Sequence, residues 1–141
     1  MTQPNMLLAD AAAIASKALP STAGSATSTA GIDLRKSPAG LHLAECELEI
    51  SAPALNGTQL PDGKTMTYKV EHDDDAAFAA AAELFTSVIV QTGKTTSGGA
   101  DAVAKRFRLP NAVKRYLRLT VTSGTGAGDA SAASMAIQLL F

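Results

Sequence analysis

Glu45, Glu47 and Glu49 alternate along one segment, and on an extended strand that spacing sets their carboxylates about 7 Å apart. Paired acids of a glycosidase have a comparable separation. Such acids need a cleft that perturbs their pKa values, however, and three like charges on an open strand are more economically a solvated or interface face. Asp73-Asp74-Asp75 gathers oxygens of the kind hard cations take. A calcium loop of the EF-hand type also needs alternating acids, a glycine and a distal glutamate, so the expectation is a solvated acidic turn. His42 and His72 sit outside any metal or nucleophile motif and read as surface or hydrogen-bonded structural histidines. The lone Cys46 excludes an internal disulfide and any multi-cysteine zinc site. Gly124, Gly126 and Gly128 follow a G-x-G-x-G spacing that is not the dinucleotide fingerprint, and a hairpin connection explains them. No catalytic, metal or cofactor residue is therefore assigned.

The basic residues carry a clearer signal. Lys105, Arg106, Arg108, Lys114, Arg115 and Arg118 fall within fourteen positions, while nine of the thirteen acids lie between residues 45 and 83. The net charge is only −1, which disfavours a nucleic-acid binder, yet the chain is polarised along its length. Polarity of this kind favours charge-complementary association with a protein partner or a second copy.

The elements that must position these groups are mostly strands. In the segment 41–50, Ala44, Cys46, Leu48 and Ile50 share one face and the three glutamates the other. Residues 51–63 hold Pro53, Asn56-Gly57 and Pro61-Asp62-Gly63 and read as loop. In 65–71, Met66, Tyr68 and Val70 alternate with threonines and charges, predicting a second strand antiparallel to the first. Residues 76–85 suit a short helix or compact loop behind an acidic boundary. Residues 87–92 are β-branched and precede Gly93, which reads as a strand, whereas 95–99 read as loop and 100–106 fit no single element. Leu117, Leu119 and Val121 share a face opposite Arg118, Thr120 and Thr122, and 131–141 return as a terminal strand. Short strands separated by Gly/Pro turns predict an all-β protein, an antiparallel β-sandwich or barrel.

Composition sets the scale. The 141 residues suit one domain, and of the apolar residues 28 are alanine, with no tryptophan and six other aromatics. The core is expected to be thin, so subunit association is plausible. No apolar run approaches the roughly 20 residues that span a bilayer, and residues 1–20 lack the basic start of a signal peptide, so neither a membrane anchor nor a secretory signal is expected. Residues 18–31 hold six Ser/Thr, two Gly and one Pro and cannot bury much surface. Residues 1–31 are read as an N-terminal arm, extended or partly helical, that orders on a partner, with 32–141 as the sandwich body.

Leu109-Pro110, followed by Arg115-Tyr116-Leu117-Arg118-Leu119 and the Ser123-Gly124-Thr125 turn, resembles the pattern in jellyroll capsid cement, or decoration, proteins of short-tailed bacteriophages. The Met-Leu-Leu-Ala-Asp segment at 6–10, the Thr/Ala/Ser-rich arm, Ile32-Asp33-Leu34 and an acidic-Phe element at Asp74 to Phe78 occur in the same order as in that family. The resemblance thus covers most of the chain. It implies a jellyroll sandwich without catalysis or cofactor, on the outer capsid surface of a virion. Its partners would be an HK97-type major capsid protein, whose neighbouring subunits it bridges in the expanded head, and a second copy in a homodimer. On that reading Arg106, Arg108, Arg115 and Arg118 make ionic contacts, and Met6, Leu7 and Leu8 anchor the arm. Arginine suits the task because its planar guanidinium takes carboxylates in bidentate fashion. The arm is longer and richer in Ala and Gly than the family's, and residues 91–104 read as an added loop.

Two readings from other classes stand beside it. A carbohydrate-binding or adhesion module shares the sandwich but wants aromatic platforms, and only Tyr68 and Tyr116 are offered beside four phenylalanines. A small hydrolase using Glu45 or Glu47 needs a concave pocket around those acids.

Overall fold

Alternation of apolar and polar side chains with period two organises the chain, because each strand then offers one face to a shared interior. The computed structural model describes residues 14–34 and 46–140; Met6, Leu7, Leu8, His42, Glu45 and the first part of the 41–50 strand lie outside them. Among the described residues there are nine strands and no helix. They are β1 (Ile14–Ala18), β2 (Ala26–Ser28), β3 (Ile32–Asp33), β4 (Glu47–Ala52), β5 (Thr65–Asp73), β6 (Ala82–Thr92), β7 (Val103–Arg108), β8 (Tyr116–Ser123) and β9 (Ser134–Leu140).

Two antiparallel sheets result. One has the order β1-β9-β4-β7 and the other β2-β8-β5-β6, with β3 also paired to β8. These two interleaved orders are those of an eight-stranded jelly roll, to which β3 is an addition. The all-β antiparallel sandwich expected from the sequence is therefore the fold. Leu48 and Ile50 from β4, Met66, Tyr68 and Val70 from β5, Leu117, Leu119 and Val121 from β8, and Met135 and Ile137 from β9 are all fully buried between the sheets. These are the positions that alternation assigns to the inner face.

Two pairings differ from expectation. The strands β4 and β5 are not neighbours, because the loop 53–64 carries the chain from one sheet to the other. The glycine-rich 124–128 segment is likewise no hairpin: it joins β8 to β9 across the sandwich. Its glycines serve close approach instead. A Cβ at Gly128 would stand 2.0 Å from the Thr58 carbonyl oxygen.

The arm reading also differs from residue 14 onward. Ile14–Ala18 pairs in register with Ser134–Gln138, and Ala26–Ser28 pairs with Thr120–Thr122. Thr29 and Leu34 then donate their N–H groups to the carbonyls of Leu119 and Arg115 at 2.9 and 2.8 Å. Small, polar residues order here because they sit at sheet edges, where backbone pairing to a formed strand replaces the burial they lack.

The connections cluster at the two ends. At one end Ala130 donates to the Pro20 carbonyl, Gly128 to Gln59 and Gly99 to Leu60, so the four loops there bond to one another. Beneath them the fully buried Tyr68 hydroxyl donates to Gln91 Oε1 at 2.9 Å. The Gln91 amide in turn donates to the carbonyls of Pro53 and Asp101, tying two of the loops to the core. Burial of Tyr68 raises its phenol pKa, so the hydroxyl keeps the proton that this bond requires. The opposite end is where the charged residues of interest gather.

Candidate interface site

The charged site begins with a turn. Asp73, at the end of β5, is buried, and its Oδ1 accepts the N–H of Asp74 at 2.7 Å and of Asp75 at 3.3 Å. Its Oδ2 accepts the Ala80 N–H at 2.8 Å. Of the acidic triplet only Asp74 and Asp75 are exposed, so the expected solvated turn is organised around a buried carboxylate. No group of three or more metal-ligating side chains occurs among the described residues. Of the 76–85 run, which suited a short helix or a compact loop, residues 76–81 form the loop and 82–85 begin β6. The turn places Phe78, at φ 54°, face down on the outer side of the five-stranded sheet. Gly31 makes room for it, since a Cβ there would meet the ring at 2.7 Å.

Beneath the ring lies an ion-pair network. The Arg118 guanidinium stands 4.4 Å from the Phe78 centroid and donates from Nε to Glu71 Oε2 at 2.7 Å. Thr120 donates to the same oxygen at 3.0 Å, and Lys69 Nζ lies 2.8 Å from Glu71 Oε1 and 3.1 Å from Glu83. Glu71 is only 7% exposed although it points away from the core, because Arg118, Lys69 and Thr120 close on its carboxylate and Phe78 in turn covers Arg118. Burial pushes its carboxyl pKa up, but hydrogen bonds from Lys69, Arg118 and Thr120 outweigh that and hold it below the usual range. Asp73 follows the same balance: desolvation raises it, and the three backbone N–H groups and the Lys114 charge bring it below normal.

Both shifts have one consequence. A carboxyl whose folded pKa is depressed takes up protons on unfolding, so its contribution is fully present above the unfolded value and is lost as pH falls through the folded one. Denaturation midpoints are therefore expected to be flat from neutral pH to about pH 5 and to fall steeply below about pH 4. Glu71→Gln is expected to flatten that acid limb. A chemical-denaturation series with unchanged acid dependence in that variant would remove Glu71 from the account.

The four candidate arginines do not form one patch. Arg115 forks onto Asp33, with Nε and Nη2 each 2.9 Å from a carboxylate oxygen, and its N–H donates to Asp74 Oδ1 at 3.3 Å. It stands just before β8, on the side of the five-stranded sheet that carries Arg118. Arg106 and Arg108 stand on the outer face of the four-stranded sheet, on the other side of the sandwich, opposite Glu49 and Glu47. Arg106 donates to Glu49 at 2.6 Å, and the Gln138 amide donates to the same carboxylate at 2.7 Å. The Arg106 hydrogen bond, opposed by desolvation and helped by Gln138, draws Glu49 below the normal range, which leaves it unsuited to act as a general acid. Arg108 is exposed and has no ion pair among the described residues.

Of the hydrolase candidates Glu45 lies outside the described residues and Glu47 is exposed on the outer face of β4, while His72, Cys46 and the tyrosines are occupied or buried. His72 Nδ1 accepts the Lys114 N–H at 3.2 Å, a structural role of the kind expected. Cys46 is buried, and desolvation together with the Glu47 charge raises its thiol pKa and disfavours the reactive thiolate. Of the tyrosines, Tyr68 is wholly buried and Tyr116 carries the Arg115 guanidinium 5.1 Å over its ring, so neither presents a bare stacking platform. Phe78, Gly31 and Glu71 were not singled out from the sequence as site residues, although Phe78 closes the acidic-Phe element that was. No protein-family model matches this sequence, and no curated protein matches it.

Proposed function

We propose that the protein is a capsid cement protein: a non-enzymatic jelly roll that binds the outer surface of an HK97-type shell and bridges neighbouring major capsid subunits. One observation carries the reading. Three sequence elements of the resemblance to phage cement proteins, far apart in the chain, meet at one end of the sandwich, while the Ser123-Gly124-Thr125 turn lies at the other end and residues 6–10 fall outside the described residues. Asp33 of Ile32-Asp33-Leu34 pairs with Arg115 of the R-Y-L-R strand, the Leu34 N–H donates to the Arg115 carbonyl, and Phe78 of the acidic-Phe element lies over Arg118. Residues that recur in order thus form one physical unit, which supports the resemblance beyond a coincidence of short motifs. The jelly-roll strand order supports it as well.

The roles within that reading shift with the geometry. Arg115 and Arg118 serve the fold and Arg106 is engaged by Glu49, so of the four candidates the exposed Arg108, which has no ion pair among the described residues, is the one placed to meet a shell carboxylate. The test is co-sedimentation of the purified protein with expanded empty heads of a short-tailed phage. Saturable binding is expected, and Arg108→Glu is expected to weaken it about tenfold, a difference of about 1.4 kcal/mol. It should also reduce the salt dependence. Because the new carboxylate stands directly opposite Glu47, it is expected to lower the melting temperature slightly. Arg108→Gln, which should bind weakly with an unchanged melting temperature, separates the contact from the fold. Absence of saturable binding by the intact protein would sink the reading. Binding that ignores Arg108→Glu would remove only the ionic contact.

A further inference from the structure

Both outer strands of the four-stranded sheet, β1 and β7, have one edge without a strand beyond it among the described residues. An open edge of five or six residues presents unpaired N–H and C=O groups, a template on which a second copy can add. Register fixes which side chains line the core side of these strands. Lys17 stands opposite Met135, and Lys105 opposite Ile50; Met135 and Ile50 are fully buried. Directly opposed residues of an antiparallel pair share a face, so both lysines lie on the core-facing side. Their neighbours on that side behave as core: Ala15, Val103 and Phe107 pack against the buried cluster, and Phe107 stacks on Phe85 with centroids 5.0 Å apart. The lysines alone are exposed, reaching out through the open flank of the sandwich.

We propose that Lys17 and Lys105 close the edges of this sheet to strand addition by a second copy of the chain. A copy that continued the sheet beyond β7 would extend both layers and trap the Lys105 ammonium between them, where an unpaired charge is strongly disfavoured. The other sheet is closed by different means. Its β2 edge is three residues long, and β6 is interrupted where Tyr68 pairs with Ile89 but Val70 with Phe85, with Ser87 at φ 47° in the bulge. All four edges thus carry a device against sheet extension, and association is left to the faces and ends of the sandwich.

The experiment compares Lys105→Val, alone and with Lys17→Val, against Lys105→Arg and Ala104→Val. The last adds the same apolar bulk to the same strand on its outer face. Light scattering behind size exclusion is expected to give both lysine-to-valine proteins a mass that grows with concentration. Wild type, Lys105→Arg and Ala104→Val should share one lower, constant mass. Amide exchange of the outward-directed β7 N–H groups should slow at least tenfold in Lys105→Val alone among the single variants. An unchanged mass and exchange rate in Lys105→Val would overturn the proposal, and so would equal growth in Ala104→Val. If the valine protein does not fold, Lys105→Thr keeps strand propensity without the charge, and wild-type mass and exchange in that variant would overturn it equally.

Discussion

Arg118→Ala is expected to lower the unfolding free energy by about 3 kcal/mol, the scale set by removing one partner of a buried ion pair. Glu71 cannot escape to solvent when its partner goes. It sits 7% exposed, and Lys69 and Thr120 fill only part of its coordination. The Phe78 ring loses the guanidinium it covers at the same time, a cation–π contact that makes up about 1 kcal/mol of that loss. Arg118→Lys separates the contributions: it keeps a charge but neither the Nε donor nor the flat surface, so about half the loss should return. Urea denaturation with a common m-value reads all of this. A loss under about 0.5 kcal/mol for Arg118→Ala would mean that the network is an ordinary solvated surface pair.

Gly93→Ala should cost more, about 3–4 kcal/mol and roughly 10 °C in melting temperature. The reason is a backbone approach. A Cβ at residue 93 would lie 1.9 Å from the Pro61 carbonyl oxygen and 2.8 Å from that of Leu60, neither of which can rotate aside. The loop 60–64 would have to withdraw, breaking the bonds from the Gly93 N–H to the Lys64 carbonyl and from the Gly63 N–H to the Gly93 carbonyl. Gly63→Ala is the control. Its φ of 70° strains an L-residue, but its Cβ would meet nothing within 4 Å, so a loss of about 1–2 kcal/mol is expected. Equal melting temperatures for the two variants would contradict the close-approach account.

The fold was legible where side chains alternate. Leu117, Leu119 and Val121 declare an inner face because β8 is central and buried on one side, and Met66, Tyr68 and Val70 do the same for β5. Ile14–Ala18 and Ala26–Ser28 were not legible, because an edge strand is held by its neighbour's backbone and alanine and serine reveal nothing of that. Alternation also says nothing of partners, which is why β4 and β5 look adjacent in sequence yet lie in different sheets. In the site, charge clustering showed a chain polarised along its length, with its basic residues close together in sequence. A strand reversal between Arg108 and Arg115 divides them between the two sides of the sandwich. Phe78 was legible only as the end of the acidic-Phe element: its alanine neighbours suit a helix or a loop, and the local Asp73 carboxylate bonds to the Asp74 and Ala80 N–H groups decide for the turn that carries it.

The place of β9 in the sheet governs how the molecule can be made. It lies between β1 and β4, so until residues 134–140 have left the ribosome β1 has no described strand to join and β4 has only β7. The first and last described strands must find each other across more than a hundred intervening residues, as the Ser16 hydroxyl bond to the Met135 carbonyl illustrates. Contacts this distant in sequence favour folding in milliseconds to seconds rather than microseconds. One of the two sheets can therefore close only after residue 140 has emerged, and until then the nascent chain carries apolar strand faces still uncovered.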